Sequence, residues 1–113
     1  MFARMTIVHF KPENVEEAIS LYRKSVVPEA KKQKGYRGAC FLIDKKLGKG
    51  ISVTFWRNEG DAIANEENRY YQEQLVKFLS MFAGPPIREG YEVSVHSMKT
   101  ETMPKPIKKP RRV

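Results

Sequence analysis

Few side chains in this sequence suit acid–base or nucleophilic chemistry. The chain has two histidines, His9 and His96, and a single cysteine, Cys40. Histidine is the side chain whose ordinary pKa suits proton transfer near neutral pH, so His9 and His96 are the candidate bases. Cys40 has no base near it in the sequence, which predicts a small buried hydrophobe rather than a nucleophile.

The sequence predicts no metal site. It contains neither a CxxC pair nor the Cys/His spacing that is typical of zinc ligands. One acidic cluster has no metal-ligand spacing and is instead placed to favour a helix N-terminus electrostatically. Its members are Glu59, Asp61, Glu66 and Glu67.

The sequence is interpreted as that of a cytoplasmic protein. A lone cysteine cannot form an internal disulfide and fits a reducing compartment. No apolar run approaches the roughly 18 residues of a membrane span. The N-terminal "MFARMTIVHFKP" is too short and too polar for a signal peptide.

Three aromatic residues are placed where they could line a pocket. Trp56 ends a segment of alternating apolar residues, where it could cover helix ends or contribute to a site. Tyr70 and Tyr71 follow in a helical segment. Because adjacent helical residues point about 100° apart, at most one of the two tyrosines is expected to face the core.

The hydrophobic pattern predicts one α+β domain. Helical spacing recurs over residues 13–33 and 58–82, and Pro28 is expected to kink or break the first helix. Gly35 is expected to stop it as a left-handed cap. Strands are predicted by alternation at Phe2–Phe10, Tyr36–Asp44, Ile51–Trp56 and Tyr91–Met98. The order βαββαβ is that of a ferredoxin-like sandwich, a four-stranded antiparallel sheet with two helices on one face.

The segment "KGYRGACF", residues 34–41, is similar to the start of an RNA-recognition hallmark. In such domains the stacking aromatics lie on the first and third strands, which are central. Here the segment begins the second strand, an edge strand, and Gly38 stands where the hallmark needs its second aromatic. The position therefore argues against sequence-specific RNA recognition, and Gly38 instead predicts a bulge or a close backbone approach.

The positive charge is concentrated at the C-terminal end. The net charge is +8, and residues 99–113 hold six Lys/Arg against one Glu, a net +5 that leaves +3 for residues 1–98. With three prolines and little apolar content, this tail is expected to be extended. The chain therefore divides into a domain at 1–98 and a basic tail at 99–113. The tail could associate with nucleic acid or another acidic surface.

The domain resembles the antibiotic biosynthesis monooxygenase (ABM) family over residues 2–98. The segments that carry the resemblance are "KGYRGACFLIDKK", "ISVTFWRNEGDAIAN" and "YEVSVHSM". The resemblance implies a dimeric α+β barrel, a homodimer in which two sheets face each other. A sheet with helices on one face leaves an apolar face to be covered, so dimerisation is also expected from the alternating Ile51, Val53 and Phe55.

The resemblance also bears on chemistry. The haem-degrading branch uses an Asn on the first strand and a Trp and a His on the second helix. When the family is aligned to this chain from Trp56 without gaps, these three positions correspond to Met5, Asn65 and Leu75. None matches, which argues against haem degradation. Quinol-type oxygenases need no cofactor, because the deprotonated aromatic substrate reduces O₂ directly.

The resemblance and the residues together give one set of candidates. The predicted catalytic residues are His9 and Trp56, and the predicted substrate-binding residues are Met5, Ile7, Tyr70, Tyr71 and His96. Met5 and Ile7 are included because alternate strand residues share the face of His9. The leading hypothesis is a cofactor-independent oxygenase of an aromatic or quinol-like small molecule. The alternatives are a non-catalytic dimeric ligand- or partner-binding module and nucleic-acid association through the tail.

Overall fold

A computed structural model describes residues 1–99, which form one antiparallel sheet with helices on one face. The sheet order is β2-β3-β1-β4, so β1 and β3 are central and β2 is an edge strand, as expected. The predicted βαββαβ ferredoxin-like fold is confirmed. The strands are β1 (Phe2–His9), β2 (Tyr36–Asp44), β3 (Lys49–Trp56) and β4 (Ile87–Glu92).

The first helical segment is continuous but changes its hydrogen-bond pattern. It comprises α1 (Val15–Leu21), a π-helical turn (Tyr22–Val26) and α2 (Val27–Lys31). The N–H of Val27 donates to the Tyr22 carbonyl five residues earlier. Because Pro28 has no N–H to donate, the wider turn lets the chain pass it without ending the helix.

The second helical segment is not the single helix that its periodicity predicts. It divides into α3 (Glu59–Glu67), α4 (Tyr70–Val76) and a 3₁₀ turn (Leu79–Met81). The break lies at Arg69, whose φ of 75° places it in the left-handed region. Asn68 stabilises the break, since its Oδ1 accepts a hydrogen bond from the Tyr70 N–H at 3.0 Å.

The predicted bounds of the last strand, Tyr91–Met98, are wrong. β4 pairs with β1 from Ile87, opposite Ile7, to Glu92, opposite Phe2. One more bond joins the Val93 N–H to the Met1 carbonyl at 2.8 Å. The alternating segment that follows lies outside the sheet.

Two glycines behave as the sequence predicts. Gly35 has a φ of 82° after α2, and a side chain there would overlap the Asp61 carboxylate. Gly38 lies in the β-bulge that shifts the pairing of β2 with β3.

Strand alternation gives the sheet two different faces. The inner face, towards the helices, carries Phe2, Arg4, Thr6 and Val8 of β1 and Phe10, which directly follows β1. The outer face carries the alternate residues Ala3, Met5, Ile7 and His9, next to Ile51, Val53 and Phe55 of β3.

The inner core consists of two separate clusters. The Phe10 cluster contains Val8, Phe10, Val15, Ala18, Tyr22, Val26, Phe78 and Met81. The Trp56 cluster contains Phe2, Ala30, Trp56, Ala62 and Tyr70.

Within residues 1–99, no helix is long and apolar enough to cross a membrane. The basic tail lies outside the described residues except for Lys99.

Candidate functional site

A cavity of about 60 Å³ lies between the sheet and the helices, with residues of both clusters around it. This volume holds a few water molecules, each of which needs about 10–15 Å³. Its wall is aromatic and aliphatic with a few polar groups, the usual composition of a small-molecule site. The lining residues are Arg4, Thr6, Val8, Phe10, Tyr22, Val26, Phe41, Ser52, Thr54, Asn65, Tyr70, Tyr71, Gln74, Leu75, Phe78 and Phe82.

One end of the cavity is charged. Glu66 on α3 pairs with Arg4 of β1 and, at 3.2 Å, with Arg88 of β4. The Arg4 and Glu66 side chains are only 14% and 16% exposed. Two guanidinium groups share one carboxylate, so this end carries a net positive charge.

One hydrogen-bond donor of the Arg4 guanidinium has no acceptor within residues 1–99. Its Nη1 donates to the Glu89 carbonyl at 3.4 Å, and its Nη2 contacts Glu66. Its Nε is buried and has no hydrogen-bond partner within residues 1–99, and the buried Glu66 Oε2 that its Nη2 contacts also lacks a hydrogen bond there. A buried donor without a partner is costly, and an acceptor atom of a bound molecule would satisfy it.

Tyr71 connects the charged end to the sheet. Its hydroxyl lies 3.0 Å from Thr6 Oγ1, and the Arg88 guanidinium lies over its ring, 5.4 Å from the centroid. Burial raises the pKa of Tyr71, and the Thr6 hydrogen bond and the Arg88 and Arg4 charges offset part of this increase. The phenol is therefore neutral at physiological pH and can donate a hydrogen bond to an anion.

The opposite side of the cavity is neutral. Tyr22 stacks on Phe41 with ring centroids 4.4 Å apart, and its hydroxyl lies 2.9 Å from Ser52 Oγ. Burial raises the pKa of Tyr22 to about 12, against the opposing effect of the Ser52 hydrogen bond. Tyr22 thus serves as a flat apolar wall with one polar tip.

Trp56 is a core residue outside the cavity lining. Its side chain is 1% exposed in the Trp56 cluster, and Tyr36 packs edge-on against it. Its Nε1–H already donates to Thr54 Oγ1 at 2.9 Å. This arrangement matches the covering role that the sequence left open.

The structure does not bring the other predicted strand residues to this cavity. Met5, Ile7 and His9 lie on the outer face, and the His9 side chain is exposed. His96 follows β4 and is also exposed. The prediction placed Met5 at a ligand-contact position, and Ile7 and His9 were included because they share its face. Strand side chains alternate between faces, so the residues of β1 that line the cavity are the neighbouring Arg4 and Thr6.

Both tyrosines line the cavity, contrary to the expectation that at most one faces the core. Tyr70 begins α4 after the left-handed Arg69, and its hydroxyl donates to the Val26 carbonyl at 3.2 Å. The Tyr71 hydroxyl contacts Thr6 on the inner face of the sheet. Cys40 is exposed on β2 rather than buried, because its position on the edge strand faces outward.

Sequence reasoning missed Arg4, Thr6, Glu66 and Arg88 as site residues. The available signal was the inner face of β1, where two polar side chains interrupt the apolar Phe2, Val8 and Phe10. Within residues 1–99, no group of three or more His, Cys, Asp or Glu could hold a metal ion.

Solved structures similar to this chain share its fold. A monooxygenase from the gene ActVA-Orf6 of Streptomyces coelicolor, solved with the ligand nanaomycin D, is 14% identical with a TM-score of 0.70, over 88% of this chain and 92% of that chain. An antibiotic biosynthesis monooxygenase is 12% identical with a TM-score of 0.68, over 84% of this chain and 100% of that chain. The fold is that of the antibiotic biosynthesis monooxygenases.

Another similar structure, the NE2512 protein of unknown function from Nitrosomonas europaea, is 15% identical with a TM-score of 0.69, over 88% of this chain and 95% of that chain. No protein-family model and no curated protein matches the sequence. The ABM resemblance seen in the sequence is thus confirmed at the level of the fold. At these identities the ABM fold alone does not determine the reaction.

Proposed function

We propose that this chain is an ABM-type monooxygenase that oxidises a quinol-like aromatic molecule in the cavity without a cofactor. The observation that carries the proposal is the unpartnered Arg4 Nε–H at the charged end of an otherwise aromatic cavity. The walls that would contact an aromatic ring are Tyr22 and Phe41 on one side and the aromatic residues of α4 on the other.

The chemistry needs an electron-rich phenolate. Arg4 and Arg88 stabilise a negative oxygen next to Tyr71, which lowers the pKa of a bound phenol, and the released proton passes to solvent. Tyr71 donates a hydrogen bond to the same oxygen, and Thr6 orients its hydroxyl. The protein thus activates the substrate, and the substrate reduces O₂.

Atoms and electrons balance without a further reductant. For 1,5-dihydroxynaphthalene, the ring carbon para to the phenolate forms a C–O bond with O₂ to give a hydroperoxide. Loss of the proton on that carbon breaks the O–O bond and releases water, which leaves 5-hydroxy-1,4-naphthoquinone. The substrate gives up four electrons, and O₂ supplies one oxygen to the quinone and one to water.

The test is O₂ consumption with 1,5-dihydroxynaphthalene above the rate of autoxidation, with transfer of isotopically labelled oxygen into the quinone. Tyr71→Phe removes the donor to the anion and is expected to lower kcat about 10- to 100-fold, the usual effect of losing a hydrogen bond to a charged group. Tyr36→Phe is the matched control, because its hydroxyl makes no hydrogen bond within residues 1–99 and lies outside the cavity lining.

Equal rates for the two tyrosine variants, or no uptake above autoxidation by the wild type, would contradict the proposal. The sequence-based role of His9 as a base stays a prediction, and His9→Gln in the same assay tests it. The present geometry favours no loss of rate, because His9 lies on the other face of the sheet.

We also infer that a second copy of the chain covers the outer face, as in a dimeric α+β barrel. Leu42, Ile87 and Tyr91 are about half exposed there, at 51%, 52% and 51%. They flank the apolar residues of β1 and β3, and an apolar patch of this kind, interrupted on β4 by Glu89, marks an interface. Sedimentation at micromolar concentration is expected to give a dimer, and Ile87→Asp, at a half-exposed position of the patch, a monomer. A wild-type monomer would overturn the inference.

A further inference from the structure

Helix α4 lies over the cavity and contacts a different cluster at each end. Tyr70 at its start belongs to the Trp56 cluster, and Phe78 just after its end belongs to the Phe10 cluster. Between these anchors, Tyr71, Gln74 and Leu75 lie over the cavity. The middle of α4 therefore borders the cavity, although Tyr71 also packs against the Trp56 cluster.

The contacts that hold α4 down are mainly polar, and all but one are made with the π-helical turn; the exception is the Tyr71 hydroxyl, which lies 3.0 Å from Thr6 Oγ1 of β1. Ser25 Oγ donates to Gln74 Oε1 at 2.8 Å, and Lys77 Nζ donates to Ser25 Oγ at 2.7 Å. Tyr70 adds its bond to the Val26 carbonyl at 3.2 Å. Ser25 thus connects both Gln74 and Lys77 to the first helical segment.

The junction with α3 allows α4 to move separately. Arg69 is a non-glycine residue with a positive φ, and the chain direction changes there. A short helix joined through such a residue is not held in line by continuous helical hydrogen bonds, so it can rotate about the Asn68–Arg69 link.

The size of the cavity is a reason to expect such a movement. A volume of about 60 Å³ is well below the roughly 300 Å³ at which ligand pockets begin. We propose that α4 is a lid that opens by releasing Gln74 and Lys77 from Ser25, and that this movement admits the substrate. The admission of substrate rests on the proposed function, whereas the opening of α4 does not.

Hydrogen exchange of the ligand-free protein tests the opening directly. Ser25→Ala removes both contacts, and the amides of residues 72–77 are expected to exchange about tenfold faster, a factor that corresponds to the loss of one to two hydrogen bonds. The amides of β1 and β3 are expected to keep their protection. Ser20→Ala is the matched control on the same helical segment, and its hydroxyl makes no hydrogen bond within residues 1–99; it is expected to leave α4 unchanged.

Two exchange results would overturn the lid. One is equal exchange of α4 in Ser25→Ala and in the wild type. The other is exchange of α4 at the same rate as β1 and β3 in the wild type, which would mean that α4 opens only when the whole domain unfolds.

Binding kinetics test the link to the substrate. With 1,5-dihydroxynaphthalene as the probe, Ser25→Ala is expected to raise the association and dissociation rate constants by a similar factor, about tenfold, because opening limits both. Unchanged rate constants would overturn the gating role. A probe that binds to no variant would instead overturn the proposed function, and the exchange result would still decide whether α4 opens.

Discussion

Replacement of Arg4 by methionine is expected to reduce kcat/KM for 1,5-dihydroxynaphthalene about 10²- to 10³-fold, the usual effect of removing one donor to a developing oxyanion. Methionine keeps an unbranched apolar stem in the cavity wall and removes the charge and the buried Nε–H. Glu66 keeps Arg88 as a partner, so no buried carboxylate is left without a cation. The domain is therefore expected to remain folded, which circular dichroism checks.

The pH profile separates an electrostatic role of Arg4 from a structural one. If Arg4 promotes ionisation of the bound phenol, the variant recovers activity as the pH rises and the phenol ionises unaided. A uniform loss at every pH would instead indicate misplacement of the ring. Arg23→Met is the control, since Arg23 is exposed on the π-helical turn and forms no ion pair within residues 1–99.

Replacement of Trp56 by alanine is expected to lower the free energy of unfolding by about 3–5 kcal/mol, the range for a large buried aromatic. Trp56 is the largest fully buried side chain within residues 1–99. Small domains are stable by only about 5–15 kcal/mol, so this loss could unfold the protein. Because the chain has one tryptophan, the measurement is urea denaturation followed by circular dichroism rather than by fluorescence.

Trp56→Phe distinguishes the covering role from a catalytic one. Phenylalanine retains most of the apolar volume, and the lost Nε1–H leaves the Thr54 hydroxyl without one contact. A smaller loss of stability with normal kcat is expected if Trp56 only covers the helix ends. A folded variant with a greatly reduced kcat would support the catalytic role that the sequence suggested.

The fold could be predicted from the sequence because its signals are local. Alternation identified β1, β2 and β3, and Gly35 was recognised as a left-handed cap. The break at Arg69 could not be foreseen, because neither glycine nor proline marks it and a side-chain contact of Asn68 stabilises it. The end of β4 depends on where its partner β1 begins, which is a property of the pairing rather than of the segment itself.

The site was harder to predict because a strand position shifted by one residue lies on the opposite face. Alignment from Trp56 selected Met5, whereas Arg4 and Thr6 face the helices. The ion pairs of Glu66 join residues on α3, β1 and β4 that are far apart in sequence, and no spacing rule connects them. Tyr70 and Tyr71 were recognised as candidates from their residue type alone.

The division of the core into two clusters has a consequence for how this domain can diversify. A side chain of the cavity wall such as Leu75 has empty space on one side, whereas Ala18, Ala30 and Trp56 are enclosed within the clusters. Exchanges of apolar residues along that wall disturb less close packing than exchanges inside a cluster. Descendants of such a scaffold can therefore acquire new ligand preferences while inheriting the architecture unchanged.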